Sequence, residues 1–281
     1  MLAGRVLPLL RNAVEAHALV CPMLFLSRHD TDAKHLLACL HAGAVLEVLH
    51  KPMCGRFVRK LYAETIADEF DVDEVEAELA PSYNVAPSQQ VAVVVIGEKK
   101  RLVAMKWGLI PAWSDDPSIG NRLINARAET VAEKPSFREA FMRQRCLVIA
   151  DGFYEWQKHG RSRQPYFIHL RGERPFGFAG LYDLWTSPEG ELIKTCTIIT
   201  TEPNEIMRTL HDRMPVILPK QFEDVWLDPY NADHASLIQM LAPYSNNEMG
   251  MHTVSPLVNS TANDSPECIA PAAPSGQLAL W

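Results

Sequence analysis

Val91-Ala92-Val93-Val94-Val95-Ile96-Gly97-Glu98-Lys99-Lys100-Arg101-Leu102-Val103-Ala104-Met105-Lys106-Trp107 decides the fold class of this 281-residue chain. Two apolar arms flank a polar tetrapeptide that opens on glycine, so the stretch reads as a β-hairpin. Working outward, Cys54–Val58, Cys146–Trp156, Tyr166–Leu170, Phe176–Leu181 and Thr195–Thr201 read as further strands. Turns at His159-Gly160 and Arg171-Gly172 separate the middle three. Leu61–Phe70 has helical spacing, with Leu61, Ile66 and Phe70 apolar and acids on the other face. Further helices are predicted near Pro203–Thr209, Pro219–Trp226 and Asp233–Leu241. Many short strands with a few helices predict an α+β domain around a β-rich, barrel-like curved sheet. Residues 264–281, rich in Pro, Ala and Ser, read as a loose tail.

The composition narrows the classes. Hydrophobic residues make up 47% and charged residues 22%, the balance of a globular chain long enough to bury a core without metal or disulfides. Six scattered cysteines form no CxxC pair, so neither a metal site nor a cofactor is predicted and a reducing, cytoplasmic setting is expected. No apolar run is long enough for a membrane span. The net charge of -7 gives no bulk support to nucleic-acid binding, so any such contact needs a local basic patch. Residues 1–52 hold five of the ten histidines and differ in texture from residues 53–281. They read as a targeting segment, an added helical element, or residues ahead of a start at Met53.

Five constellations could carry function. Met53-Cys54-Gly55-Arg56-Phe57 places a cysteine after a methionine. Initiation at Met53 and removal of that methionine would leave Cys54 a 1,2-aminothiol. Its amine, of pKa about 7.7–8.0, and its thiol, near 8.5, both reach nucleophilic form close to neutrality. An aldehyde would then give a Schiff base and, by thiol closure, a thiazolidine. The plain alternative is a small buried hydrophobe on a strand. In Leu123–Thr130, Asn125 and Arg127 alternate, so a strand puts both on one face, able to hold a phosphate or a sugar; the alternative is a solvated strand end. In Ala150–Trp156, Glu155 sits among aromatics, where burial suits a carboxyl to proton transfer, or it is a structural acid. In Leu210–Pro215, His211 is a candidate acid or base beside Asp212 and Arg213. Rings and prolines in Trp107–Trp113 and Tyr83–Pro87 are candidates for stacking on bases, against an ordinary core role.

Taken in order, Met53–Phe57, Tyr83–Pro87, Trp107–Trp113, Ile124–Thr130, Ala150–Trp156 and His211–Leu218 resemble the SRAP (SOS response-associated peptidase) family. The resemblance runs from Met53 to about Cys268 and includes Asn259; it sets a domain over 53–268, with 269–281 as a flexible tail. It implies a covalent cross-link to abasic sites in single-stranded DNA through Cys54. It further implies that Asn125 positions the cysteine and the opened sugar, Glu155 moves protons, and His211 assists ring opening. Arg56 and Arg127 would hold phosphates, while Trp107, Pro87 and Asn84 would contact the kinked strand. Expected partners are abasic single-stranded DNA and no membrane, for a monomeric bacterial protein acting in the DNA-damage response. The 52 residues before Met53 depart from the family pattern, and while attached they would block the amine. A cysteine peptidase using the Cys54 thiol, and a non-covalent single-strand binder, are the competing functions.

Overall fold

The computed structural model describes residues 55–160 and 162–272, with the backbone alone at His159. Cys54, the extension over 1–52 and the tail beyond Ala272 therefore lie outside the described residues. Thirteen strands are described. They are β1 (Phe57–Arg59), β2 (Glu74–Val75), β3 (Ser82–Val85), β4 (Gln90–Ile96), β5 (Lys100–Trp107), β6 (Asn125–Arg127) and β7 (Arg145–Ala150), followed by β8 (Gly152–His159), β9 (Ser162–Leu170), β10 (Phe176–Thr186), β11 (Leu192–Thr201), β12 (Met214–Pro215) and β13 (Met249–Thr253). Five short α-helices accompany them: α1 (Ala63–Glu69), α2 (Arg138–Arg143), α3 (Glu205–Arg208), α4 (Lys220–Leu227) and α5 (His234–Gln239).

The predicted hairpin is β4–β5, paired from Val91↔Met105 to Ile96↔Lys100. It joins the run β11-β10-β7-β4-β5, and a parallel pairing of β5 with β11 closes those five strands into a ring. Both faces of these strands are covered. Val91, Val93, Val103, Met105, Cys146, Val148 and Ile198 pack with Phe57, Phe153 and Ile168 of the second sheet. Ala92, Val94, Leu102, Leu147 and Ile149 pack with Ile66, Phe141, Trp226 and Leu237 of the helices. Double burial explains why Val91–Ile96 reads as an unbroken apolar run rather than an alternating one. The α+β class and the barrel-like sheet are as predicted.

The second sheet has the order β13-β9-β8-β1-β3. Here the structure corrects the single strand expected over Cys146–Trp156. The chain changes sheets at Asp151, leaving β7 in the ring and β8 in the second sheet. The Asp151 carboxylate accepts the Lys60 backbone N–H at 2.6 Å and so pins the corner to the end of β1. Gly152 passes under Phe167 so closely that a Cβ would lie 2.4 Å from ring carbons and 2.7 Å from the Ile168 carbonyl oxygen. Gly152→Ala is therefore expected to destabilise the protein by about 1–3 kcal/mol, measured by urea unfolding. An unchanged midpoint would show that the Phe167 ring swings aside at no cost.

The loose tail expected from residue 264 is also corrected as far as Ala272. Pro266–Cys268 form a 3-10 turn, Val254 bridges Pro271, and the Ala272 N–H donates to the Thr253 carbonyl at 2.8 Å. Val258 and Cys268 are fully buried against Val58, Tyr154 and Phe167. The proline-rich composition hid the Cys268 anchor, which with Val258 packs on the second sheet.

Candidate active site

β1 and β8 run antiparallel, with Phe57 opposite Phe153 and Val58 opposite Gly152. The Tyr154 N–H donates to the Arg56 carbonyl at 3.0 Å, so the register continues. It sets Gly55 opposite Glu155. Both line a cleft of about 320 Å³ together with Arg56, Trp156, Arg163 and Asn259. Cys54 is joined to Gly55 by one peptide bond. Among the described residues, its chain neighbours aside, none lies within 4 Å of the place a Gly55 Cβ would occupy.

Strand alternation divides the cleft's walls. Glu155, 4% exposed, and Gln157 share one face of β8. The Gln157 amide donates to the Thr209 carbonyl at 3.0 Å, tying the strand of Glu155 to the loop that carries His211. Trp156 and Lys158 share the other face. The Trp156 indole N–H donates to Asn259 Oδ1 at 2.7 Å, and the Arg56 guanidinium lies 6.0 Å from the Trp156 ring centroid.

Asn125 and Arg127 lie on β6, which pairs in parallel with β11 through Asn125↔Ile198 and Arg127↔Thr200. Arg213 returns to the same strand end. It donates to the Thr200 carbonyl at 2.6 Å and clasps the Glu129 carboxylate, one bond being 2.9 Å, which holds Glu129 below the usual carboxylate range. His211 Nδ1 accepts the Arg213 N–H at 3.2 Å and sits 2.8 Å from an Asp212 oxygen. Burial lowers the His211 pKa; Asp212 opposes this, but its side chain is 88% exposed and its charge is screened by water. Burial therefore favours the neutral imidazole.

Arg56 and Glu155 thus meet in the cleft, Asn125 and His211 sit on elements tied to it, and Arg127 is exposed at the end of β6. Two expected strand contacts are placed elsewhere. Trp107 is fully buried, its ring 5.2 Å from Phe57 and its indole N–H on the Ile124 carbonyl at 2.8 Å. It has no free face for a base, and instead couples β1 to the strand of Asn125. Asn84 is 1% exposed; its amide donates to the Ser260 and Asn263 carbonyls at 2.9 and 2.7 Å, and its Oδ1 accepts from Arg56 at 2.7 Å. It therefore fixes Arg56 rather than touching a ligand. Pro87 is half-buried in the turn after β3, and the ring of that aromatic set left exposed is Trp113, at 59%. Arg163 and the Gln157 link were missed. Counting outward from the His159-Gly160 turn would have placed Arg163 opposite Lys158, at the edge of the cleft.

Comparison with known proteins agrees with this architecture. Residues 53–261 match the family described as SOS response associated peptidase (SRAP). The chain belongs to that family. The Bacillus subtilis abasic site processing protein YoqW is 48% identical over 221 residues, covering 77% of this chain and 99% of that protein. The abasic site processing protein HMCES of Gallus gallus is 34% identical over 229 residues, covering 70% of this chain and 68% of that one. A crystal structure of a Bacteroides thetaiotaomicron protein superposes with a TM-score of 0.72 at 29% identity, covering 78% of this chain and all of that one. Among the described residues no helix is long and apolar enough to cross a membrane.

Proposed function

We propose that this protein processes abasic sites, capturing the ring-opened aldehyde of the lesion in single-stranded DNA through Cys54. The observation that carries the reading is the register that puts Gly55, the neighbour of Cys54, opposite the buried Glu155 in an open cleft. The names borne by YoqW and HMCES support the same substrate.

The chemistry balances with one water lost. The Cys54 amine adds to the aldehyde carbon, and the carbinolamine expels water to give an imine. The thiol then adds to the imine carbon, its proton passing to nitrogen, and closes the thiazolidine. Glu155 delivers the proton that lets water leave and takes it back. His211, its neutral form favoured by burial, takes the C1 hydroxyl proton and returns it to the ring oxygen as the C1–O bond breaks, which opens the sugar to the aldehyde. Asn125 orients the opened sugar, and Arg56 and Arg127 hold flanking phosphates. Strand cleavage is a side branch, because the imine acidifies the neighbouring carbon. The functional unit is 53–268, and the reaction requires that Cys54 become N-terminal, by initiation at Met53 and methionine removal or by cleavage of the longer chain.

The test mixes protein expressed from Met53 with a single-stranded oligonucleotide bearing one abasic site, beside the 281-residue form. A heat-stable band of mass protein plus oligonucleotide minus water is expected from the Met53 form. No band from either form, with intact mass confirming a Cys54 N-terminus, overturns the reading. The pH profile adds a second check. Burial lowers the His211 pKa from its usual 6.5, so between about pH 7.5 and 8.5 the imidazole is already almost wholly deprotonated and the rate rises with deprotonation of the Cys54 amine and thiol. His211→Ala should lower the rate by a constant factor across that window, about 10² or more. A factor that changes with pH would mean that His211 titrates inside it.

A further inference from the structure

The β8–β9 hairpin contributes Glu155, Trp156 and Arg163 to the cleft, and its charge is not that of the chain. The whole protein carries -7, yet residues 156–172 contain no Asp or Glu and include Lys158, Arg161, Arg163 and Arg171. Lys158 and Arg163 are directly opposite one another on the two strands, and both are exposed. Like charges in that relation destabilise a hairpin. Neither side chain has an ion pair with a carboxylate among the described residues, although ten Lys or Arg pairs with carboxylates are found elsewhere in the described fold. Gly160 turns the tip with a φ of 59°, so the two arms stay in register up to the pair His159↔Ser162. The cationic pair lies on the Trp156 face of β8, and Arg163 lines the cleft with Arg56.

We propose that this hairpin is a backbone clamp, in which Lys158 and Arg163 together hold phosphates of the strand outside the lesion cleft on one side. This deepens the abasic-site reading and rests on it for the identity of the strand. Lys158 is three residues along β8 from Glu155, about 10 Å at ~3.3 Å per residue. Nucleotides stacked at about 3.4 Å per strand put the clamped phosphates roughly three nucleotides from the reacting sugar. The substrate is therefore a polynucleotide extending at least that far on one flank, and not a free aldehydic sugar or a short end. The repulsion between the two cations is retained because an anion relieves it when the strand is bound.

The test uses the full 281-residue chain and its Lys158→Ala/Arg163→Ala variant. The probe is a fluorescent single strand carrying a tetrahydrofuran abasic analogue, which has no aldehyde and so reports binding without capture. Across a salt series, the log–log slope of affinity should be shallower in the variant by about 1.4, two contacts at ~0.7 each. Trimming one flank below about three nucleotides should weaken the wild type at least tenfold and leave the variant unmoved. The variant's melting temperature should equal or exceed the wild type's, since a like-charge pair has been removed. An unchanged slope, a wild type that does not bind the probe, indifference to trimming, or a lowered melting temperature would each overturn the clamp. None of these readouts involves Cys54, so failure of covalent capture is read separately, on the aldehyde-bearing strand.

Discussion

Glu155→Gln should slow formation of the heat-stable DNA adduct by about 10²–10⁴-fold, the range supplied by a positioned proton donor or acceptor. Glu155 is 4% exposed and faces Gly55 across the cleft, so a proton transfer it performs has little competition from bulk water. Glutamine keeps the shape and a hydrogen-bonding carbonyl but can neither give nor take a proton at neutral pH. The loss should therefore fall on the rate of the dehydration step, while the final yield of adduct approaches the wild type's after long incubation. The measurement is a single-turnover time course on a denaturing gel, with urea unfolding run alongside to show that the buried amide is tolerated. A rate within about threefold of the wild type would remove Glu155 from the mechanism and leave it a structural acid at the β1–β8 junction.

Cys54→Ser should abolish the heat-stable band altogether while leaving the amine able to form an imine. Addition of borohydride during the reaction should then restore a band, because it reduces the imine to a stable secondary amine. An N-terminally acetylated Cys54 protein should give neither band, since its nitrogen is an amide. These two outcomes separate the two nucleophiles of one residue, which no substitution elsewhere can do. A heat-stable band from Cys54→Ser without reductant would show that the thiol closes no ring. Slow peptide hydrolysis surviving in that variant would favour the peptidase reading instead.

Much of the fold was legible. The hairpin over Val91–Trp107 and helix α1 arise from patterns that local physics enforces: a polar turn between apolar arms, and apolar residues at helical spacing. The break at Asp151 was not legible, because an apolar run looks the same whether it continues in one sheet or crosses to another. What ends β7 is a hydrogen bond from Lys60, ninety-one residues earlier, and a close approach of Phe167 to Gly152. The packed segment up to Ala272 was missed for a similar reason. Its anchors, Val258 and Cys268, are spaced by no regular period and are buried only because the outer face of the second sheet lies beneath them.

The site divides along the same line. From the residues alone came the types: an aminothiol precursor at Cys54, an acid at Glu155, an imidazole at His211, an amide at Asn125 and a guanidinium at Arg56. Which of the aromatic and polar neighbours face a ligand was a tertiary decision. Trp107 and Asn84 stand in motifs that read as contact surface, yet they are buried where three separate segments converge, and they act by holding Ile124 and Arg56 in place. Arg163, which no motif singled out, faces the cleft because a two-stranded register opposes it to Lys158. Chemical capability is a property of a side chain, so the sequence alone supplied the candidate reactive groups. Exposure depends on what the rest of the chain leaves uncovered, so only the tertiary structure decided which of those groups line an open cleft.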